Sequence, residues 1–255
     1  MNNIEILPTV IVPCYNEEDR LHETTFLKLA ESGQLRLLFV DDGSTDLTSA
    51  ALRRLDASSD AISILTLMRN RGKAEAVRLG LIEASKQGAA VLGYFDADLA
   101  TPADELLRLL SIIESHEELA AVFGARVAKL GSKIERTYLR HYMGRIYATL
   151  ASMALGVDVY DTQCGAKVFR ANPTFLEAIA QPFASGWAFD VELLDRLLRG
   201  TSSSPGISVD AVLEVPLTSW RDVHGSHLRT IDGVRSFLQL ISIGIHHRNL
   251  DRASN

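Results

Sequence analysis

The first half of this chain predicts an open α/β fold, with a mostly parallel sheet covered by helices on both faces, and three observations carry that prediction. Short apolar runs alternate with longer stretches of helical periodicity. The runs are near-continuous rather than alternating, as in strands buried on both faces. Their carboxyl ends are polar or acidic, and ligands gather at that edge of such sheets.

Taken in order, the pattern predicts strands over 7–12, 35–41, 62–67, 90–95 and 120–125, and helices over 17–30, 46–55, 73–86 and 103–115. Beyond residue 125 the alternation stops. A long helical pattern covers 134–155, followed by a Gly-containing stretch through Cys164 and Gly165, a helix near 189–198 and a polar loop at 201–206. A last strand is expected over 209–215 and a C-terminal helix over about 229–247. At 255 residues this is one α/β domain with an appended subdomain. The net charge of −6 and pI near 5.7 exclude the basic footprint of a nucleic-acid binder. Two cysteines, Cys14 and Cys164, form no disulfide framework and read as small buried thiols in a reducing, cytoplasmic setting. The N-terminus lacks a basic region before an apolar run, so no signal peptide is expected. No stretch reaches the ~18 to 20 apolar residues of a membrane span, so membrane contact would be peripheral.

The segment 91–102, V-L-G-Y-F-D-A-D-L-A-T-P, ends its apolar run in two carboxylates, Asp96 and Asp98. Such oxygen ligands suit a hard divalent cation, commonly held by one or two carboxylates plus substrate phosphates. The pattern points to a site for a nucleoside diphosphate. The plainer reading is a polar loop in which Asp98 or Thr101 caps the helix that Pro102 opens. Neighbouring strand ends favour the site. The first ends in V-I-V-P-C-Y-N-E-E, with Tyr15 able to stack; the second ends in F-V-D-D-G-S-T-D, where Asp42 can accept from a base N–H or ribose hydroxyls. The third leads to R-N-R-G-K, which puts Lys73 at a helix N-terminus already disposed to anions. Separately, these are a type I turn and a solvated lysine. Neither G-x-G-x-x-G nor the P-loop signature is present, which removes the dehydrogenase reading.

The set V-P-C-Y-N-E, V-D-D-G-S-T-D, N-R-G-K and D-A-D resembles the donor half of the family 2 inverting glycosyltransferases. The resemblance implies a GT-A fold, a nucleotide-sugar donor and Mg²⁺ or Mn²⁺. It implies Pro13, Tyr15, Glu17, Asp42 and Lys73 around the nucleoside, with Ala97 beside them, Asp98 on the metal and Asp96 on the ribose or metal shell. Three later strings narrow it: D-T-Q-C-G-A-K-V-F at 161–169, G-W-A-F-D-V-E-L-L at 186–194 and V-P-L-T-S-W-R-D-V-H-G-S at 215–226. They resemble the dolichyl-phosphate glucosyltransferase and polyprenyl-phosphate glycosyltransferase branch. That implies inverting transfer of a hexose, first of all glucose from UDP-glucose, to a polyprenyl phosphate. Residues 1–125 then form the donor half, 126–228 the acceptor half of the same domain, and 229–255 an amphipathic helix and tail. Asp98, Asp161, Arg126 and Arg140 are the catalytic candidates. Arg126, Arg136, Arg140, Gln163, Lys167, Trp220 and His227 are the acceptor-binding ones. Two positions depart from the pattern: Ala100 replaces the glutamine that ligates metal in mannosyl relatives, so water or donor phosphate must fill that place, and His227 replaces a lysine.

A phosphate acceptor also fits the charge pattern. With a second pKa of ~6, about nine lipid monophosphates in ten are dianions at pH 7, so no general base is needed. Cations are needed instead. Between Gly124 and Arg145 lie Arg126, Lys129, Lys133, Arg136, Arg140 and Arg145 against Glu135 alone, a local balance of +5 in an acidic chain. The runner-up is a hydroxyl acceptor with Asp190 or Glu192 as base; a third reading is a catalytically silent nucleotide-sugar binding module. Apolar stripes at 134, 138, 142, 146, 150 and 153, and at 231, 234, 237, 238, 241 and 245, face either the protein's own core or a membrane surface. Trp187 and Trp220 either pack in the core or line an acceptor groove.

Overall fold

The computed structural model describes residues 6–135, 138–200 and 203–223, without the side chains of 138–140. The strands are β1 (Thr9–Cys14), β2 (Arg36–Asp41), β3 (Ile62–Thr66), β4 (Val91–Phe95), β5 (Ala121–Ala125), β6 (Lys133–Glu135), β7 (Ala166–Arg170), β8 (Val212–Pro216) and β9 (Ser219–Arg221). The helices are α1 (Glu23–Glu31), α2 (Thr48–Ser58), α3 (Lys73–Lys86), α4 (Ala103–Ser115), α5 (Tyr138–Leu155), α6 (Pro173–Ala180) and α7 (Phe189–Arg199). Seven strands form one sheet in the order β3-β2-β1-β4-β7-β5-β8, and β6 and β9 pair separately. Among the described residues, only β7 runs antiparallel to its neighbours in the large sheet. Strands β7 and β8, both beyond residue 125, thus complete the sheet begun by the first half.

Period-two alternation sorts the strand side chains between two cores. Val10, Val12, Leu37 and Phe39 pack with Phe26 of α1, Leu52 of α2 and Leu106 and Leu109 of α4. Ile11, Leu38, Val40 and Tyr94 face the other way, onto α3, α5, α6 and α7. Helices therefore cover both faces, and the carboxyl ends of β1, β2, β3 and β4 are left to line one edge.

Three elements differ from their sequence expectation. The helix expected from residue 17 begins at Glu23, because Glu17 turns back instead: its N–H donates to Thr48 Oγ1 at 2.8 Å. The helix expected from 134 begins at Tyr138, since residues 133–135 pair with β9, Ile134 opposite Trp220. The strand expected from 209 begins at Val212 after a short 3₁₀ turn. Strands β7 and β9 and helix α6 have no counterpart among the elements that the sequence pattern predicts. For α6 the signal was present: Asn172 accepts from the Phe175 N–H at 2.8 Å and Pro173 occupies the first turn, a capped start of the usual kind. The expected C-terminal helix over 229–247 lies outside the described residues.

Candidate active site

The first two strand ends are tied together by side chain to backbone bonds. The Asn16 N–H donates to Ser44 Oγ at 3.1 Å, and Asn16 Oδ1 accepts from the Thr45 N–H at 2.8 Å. Asn16 holds φ at +53°, a left-handed conformation that asparagine tolerates. Asp42 is buried, and its two oxygens accept from the Arg71 and Gly72 N–H groups at 2.7 and 2.8 Å. Burial raises its pKa against the pull of those bonds. Asp42 therefore anchors the R-N-R-G loop, a role beyond the base or ribose contact expected of it. Gly43 permits this approach: its φ is +70°, and a Cβ there would lie 2.6 Å from the Arg69 carbonyl carbon. Pro13 and Tyr15, half-buried, stand at the same edge.

The fourth strand end carries the acids. Lys73, the first residue of α3, places Nζ 2.5 Å from Asp96 Oδ1, both side chains about one-third exposed. Asp98 Oδ1 accepts from the Ala100 N–H at 3.0 Å around Leu99, whose φ of +52° is strained for a leucine. The loop is clamped from beyond by the Arg221 N–H, which donates to the Ala100 carbonyl at 2.9 Å. Helix α4 has no side-chain cap, so neither Asp98 nor Thr101 serves as one; Asp98 closes its own turn. Burial, then the Asp96 charge, raises the Asp98 pKa. Glu17 shares this environment. Burial lifts it to about 7 against the opposing Arg20 guanidinium 2.7 Å away, with Asp98 and Asp96 pushing it further. Its Oε2 is buried without a hydrogen-bond partner among the described residues. Glu17 and Asp98 thus both ionise against burial and neighbouring carboxylate charge at one place, although among the described residues no three His, Cys, Asp or Glu side chains are arranged as a ready-made metal cage.

The basic side differs more from expectation. Arg126 grips Asp161 with Nε–Oδ2 at 2.6 Å and Nη2–Oδ1 at 2.7 Å, and its backbone N–H adds a third bond at 2.9 Å. Its guanidinium lies 5.4 Å over the Trp220 ring, which is buried and packs in the core. Glu214 of β8 accepts from the Tyr160 and Asp161 N–H groups at 2.7 and 2.8 Å, fixing the partner carboxylate. Glu105 of α4 accepts from the Thr218 N–H at 2.7 Å and from its hydroxyl, seating the turn before Trp220. Neither glutamate's role stands out in the sequence, because the backbone groups they hold lie 53 or more residues away, although Glu105 also pairs with Arg108 three residues on. Gln163 is half-buried, its amide 3.4 Å from the Tyr147 hydroxyl.

Lys167 corrects a specific expectation. It is 1% exposed, its Nζ lies 2.5 Å from the Cys164 carbonyl and 3.0 Å from Asp190 Oδ1, and Asp190 also accepts from the Tyr94 hydroxyl. Burial pushes the lysine down and the aspartate up. Lys167 is thus sealed beneath the site, out of reach of an acceptor. Glu192 accepts from the Ala184 and Ser185 N–H groups and pairs with Arg196, so both acids named as candidate bases are held by the fold. Arg136, His227 and the side chain of Arg140 lie outside the described residues. On α5 Ala148, Ala151, Ala154 and Leu155 are buried and Leu150 of the expected stripe packs partly buried against the core, whereas Tyr142, Ile146 and Met153 of that stripe are 50–68% exposed. Among the described residues no helix is long and apolar enough to cross a membrane.

Comparison with known proteins bears on this arrangement. The model of glycosyl transferase family 2 matches residues 9–174. Dolichyl-phosphate beta-glucosyltransferase of Mus musculus is 32% identical over 86% of this chain and 69% of its own. The protein of that name from Saccharomyces cerevisiae is 28% identical over 94% and 74%. Polyprenol monophosphomannose synthase of Mycolicibacterium smegmatis is 27% identical over 96% and 89%. Among solved structures, glucosyl-3-phosphoglycerate synthase of Mycobacterium tuberculosis with UDP superposes with a TM-score of 0.66 at 18% identity, covering 94% of this chain and 80% of that one. The same enzyme with Mn²⁺, UDP and glucosyl-3-phosphoglycerate gives 0.64 over 93% and 78%.

Proposed function

Because the chain belongs to glycosyl transferase family 2, as the match over residues 9–174 establishes, we propose that it transfers glucose from UDP-glucose to a polyprenyl phosphate with inversion at the anomeric carbon. The observation that carries the reading is the meeting, at one sheet edge, of the Asp96–Lys73 pair and Asp98, in a chain whose relatives are dolichyl-phosphate beta-glucosyltransferases. A phosphate oxygen attacks the anomeric carbon, the bond from that carbon to the UDP oxygen breaks on the opposite face, and the electron pair leaves with UDP. No proton has to be removed from a dianionic acceptor. This accords with Asp190 and Glu192 being engaged by Tyr94, Lys167 and Arg196 instead of standing ready as bases.

The donor set suits a divalent cation: hard oxygens, crowded carboxylates and the orphaned Glu17 Oε2. Asp98 and Asp96 would hold it, together with donor phosphate oxygens, and the solved relative that contains Mn²⁺ with UDP supports this. When bound, such an ion supplies Lewis-acid stabilisation of the leaving diphosphate. Lys73 sits where its charge also favours the diphosphate, while Tyr15 and Asp42 border the nucleoside. The acceptor phosphate is placed toward Arg126, whose orientation Asp161 and Trp220 fix. The exposed α5 residues Tyr142, Ile146 and Met153 support a peripheral position on a membrane, where the lipid tail resides.

Incubation with a nucleotide-sugar panel and polyprenyl phosphate, read by mass spectrometry, tests this. Glucosyl polyprenyl phosphate formed one-for-one with UDP is expected. Glucose appearing on unphosphorylated polyprenol or on a soluble hydroxyl acceptor would overturn it.

A further inference from the structure

We propose that Gly165 is a positioning residue for the donor carboxylates, a bare shelf on which the Asp96 side chain rests, and that the C-G-A-K string leading into β7 therefore belongs to the donor site. The inference rests on the reading of Asp96 and Asp98 as the donor-side acids. It starts from register. Strand β7 runs antiparallel to β4 with Phe95 opposite Ala166 and Tyr94 opposite Lys167, and the ladder continues one step further through the Asp96 N–H, which donates to the Gly165 carbonyl at 2.9 Å. Residues opposite each other in an antiparallel pair project to the same face, so the Asp96 carboxylate lies over the Gly165 Cα.

A Cβ built on Gly165 would stand 1.9 Å from Asp96 Oδ2, 2.2 Å from its Cγ and 2.7 Å from Oδ1. All three are atoms of one short side chain. The backbone on either strand is not among the nearest atoms, so relief comes from swinging the Asp96 carboxylate aside. That swing also breaks its 2.5 Å contact with Lys73 and changes its spacing from Asp98. The fold survives at modest cost, whereas the site loses its geometry.

The shelf is fixed from below. Lys167 Nζ meets the Cys164 carbonyl at 2.5 Å, which holds the peptide leading into Gly165, and Asp190 anchors the lysine in turn at 3.0 Å. Period two puts Tyr94, Asp96, Gly165 and Lys167 on the same face of the sheet, the face on which α3 brings Lys73. The buried ammonium, sealed away from any ligand, thereby sets the height of the strand on which a donor acid leans.

A double-mutant cycle separates this role from ordinary packing. Wild type, Gly165→Ala, Asp96→Ala and the double variant are compared by calorimetric titration with UDP in Mn²⁺ and by melting without either. Gly165→Ala should weaken UDP binding about tenfold and raise the KM for UDP-glucose while leaving the KM for the acceptor unchanged. In the Asp96→Ala background, where the clashing atoms are gone, the same alanine should change neither UDP affinity nor melting temperature. Wild-type affinity in Gly165→Ala, or losses that add in the double variant, would overturn the proposal. If Gly165→Ala does not fold, a folded double variant upholds the contact and an unfolded one refutes it. Wild-type protein that takes up no UDP would overturn the donor-site reading and this inference with it.

Discussion

Replacing Arg126 by methionine should cost the protein far more than an acceptor contact would. Both side chains of the Arg126–Asp161 pair are nearly inaccessible, 14% and 9% exposed, and three hydrogen bonds of 2.6–2.9 Å join the two residues. Removing one member of such a buried pair leaves an uncompensated charge, which costs about 3 to 5 kcal/mol. In a domain of this size each kcal/mol lowers the melting temperature by roughly 2 to 4 °C, so a fall of about 6 to 20 °C is expected. Asp161→Asn placed on top of Arg126→Met removes the stranded charge, and should recover roughly 0.5 to 3 kcal/mol of the loss. Thermal melts and urea titrations of the two single variants and the double one measure this directly. An Arg126→Met protein that melts with wild type and shows only a raised KM for the acceptor would refute the argument, because the guanidinium would then serve the ligand alone and contribute nothing to the fold.

Asp98→Asn, or EDTA added to wild type, should reduce turnover by several orders of magnitude, since metal stabilisation of a leaving group is worth several kcal/mol; full turnover in verified absence of metal would contradict it. The pH dependence of stability should carry the signature of Glu17, whose pKa rises from 4.5 to about 7 on folding. The folded protein then holds a proton that the unfolded chain has released. Stability from this group is complete below pH 4.5 and is lost as pH rises through 7, by about 3 kcal/mol at most. Metal-free Glu17→Gln should lack that decline in urea titrations between pH 4.5 and 8, and a decline equal to that of wild type would exclude Glu17 as its source. Tyr142→Glu with Ile146→Glu should abolish flotation with anionic liposomes and leave the melting temperature within a degree or two, because both side chains are at least half exposed; a large loss of stability would place the stripe against protein.

The parts of this molecule that the sequence discloses are those whose logic is local. Strand β4 and its two acids are legible because an apolar run, a carboxylate pair and a helix start follow one another within a dozen residues, and α3 and α4 begin and end where their periodicity does. Strand β7 is five residues with a lysine near its start, and burying that lysine depends on Asp190, which only the packing of α7 against the sheet brings near. The charged residues show the same limit. Arg126 reads as a phosphate ligand from its own neighbourhood, which is basic, yet its partner stands 35 residues on; Glu105 reads as a favourable charge in a helix's first turn, yet it holds Thr218, 113 residues away. A cationic stretch signals the sign of what it meets, not whether that is a ligand or the chain's own carboxylate. Helical periodicity has the same limit on α5, where Leu150 and Leu155 pack inward with the alanines while Tyr142, Ile146 and Met153 stay exposed. Small residues at 148, 151 and 154 let α5 pack against its neighbour α7, and the large apolar side chains by themselves do not reveal which face that is.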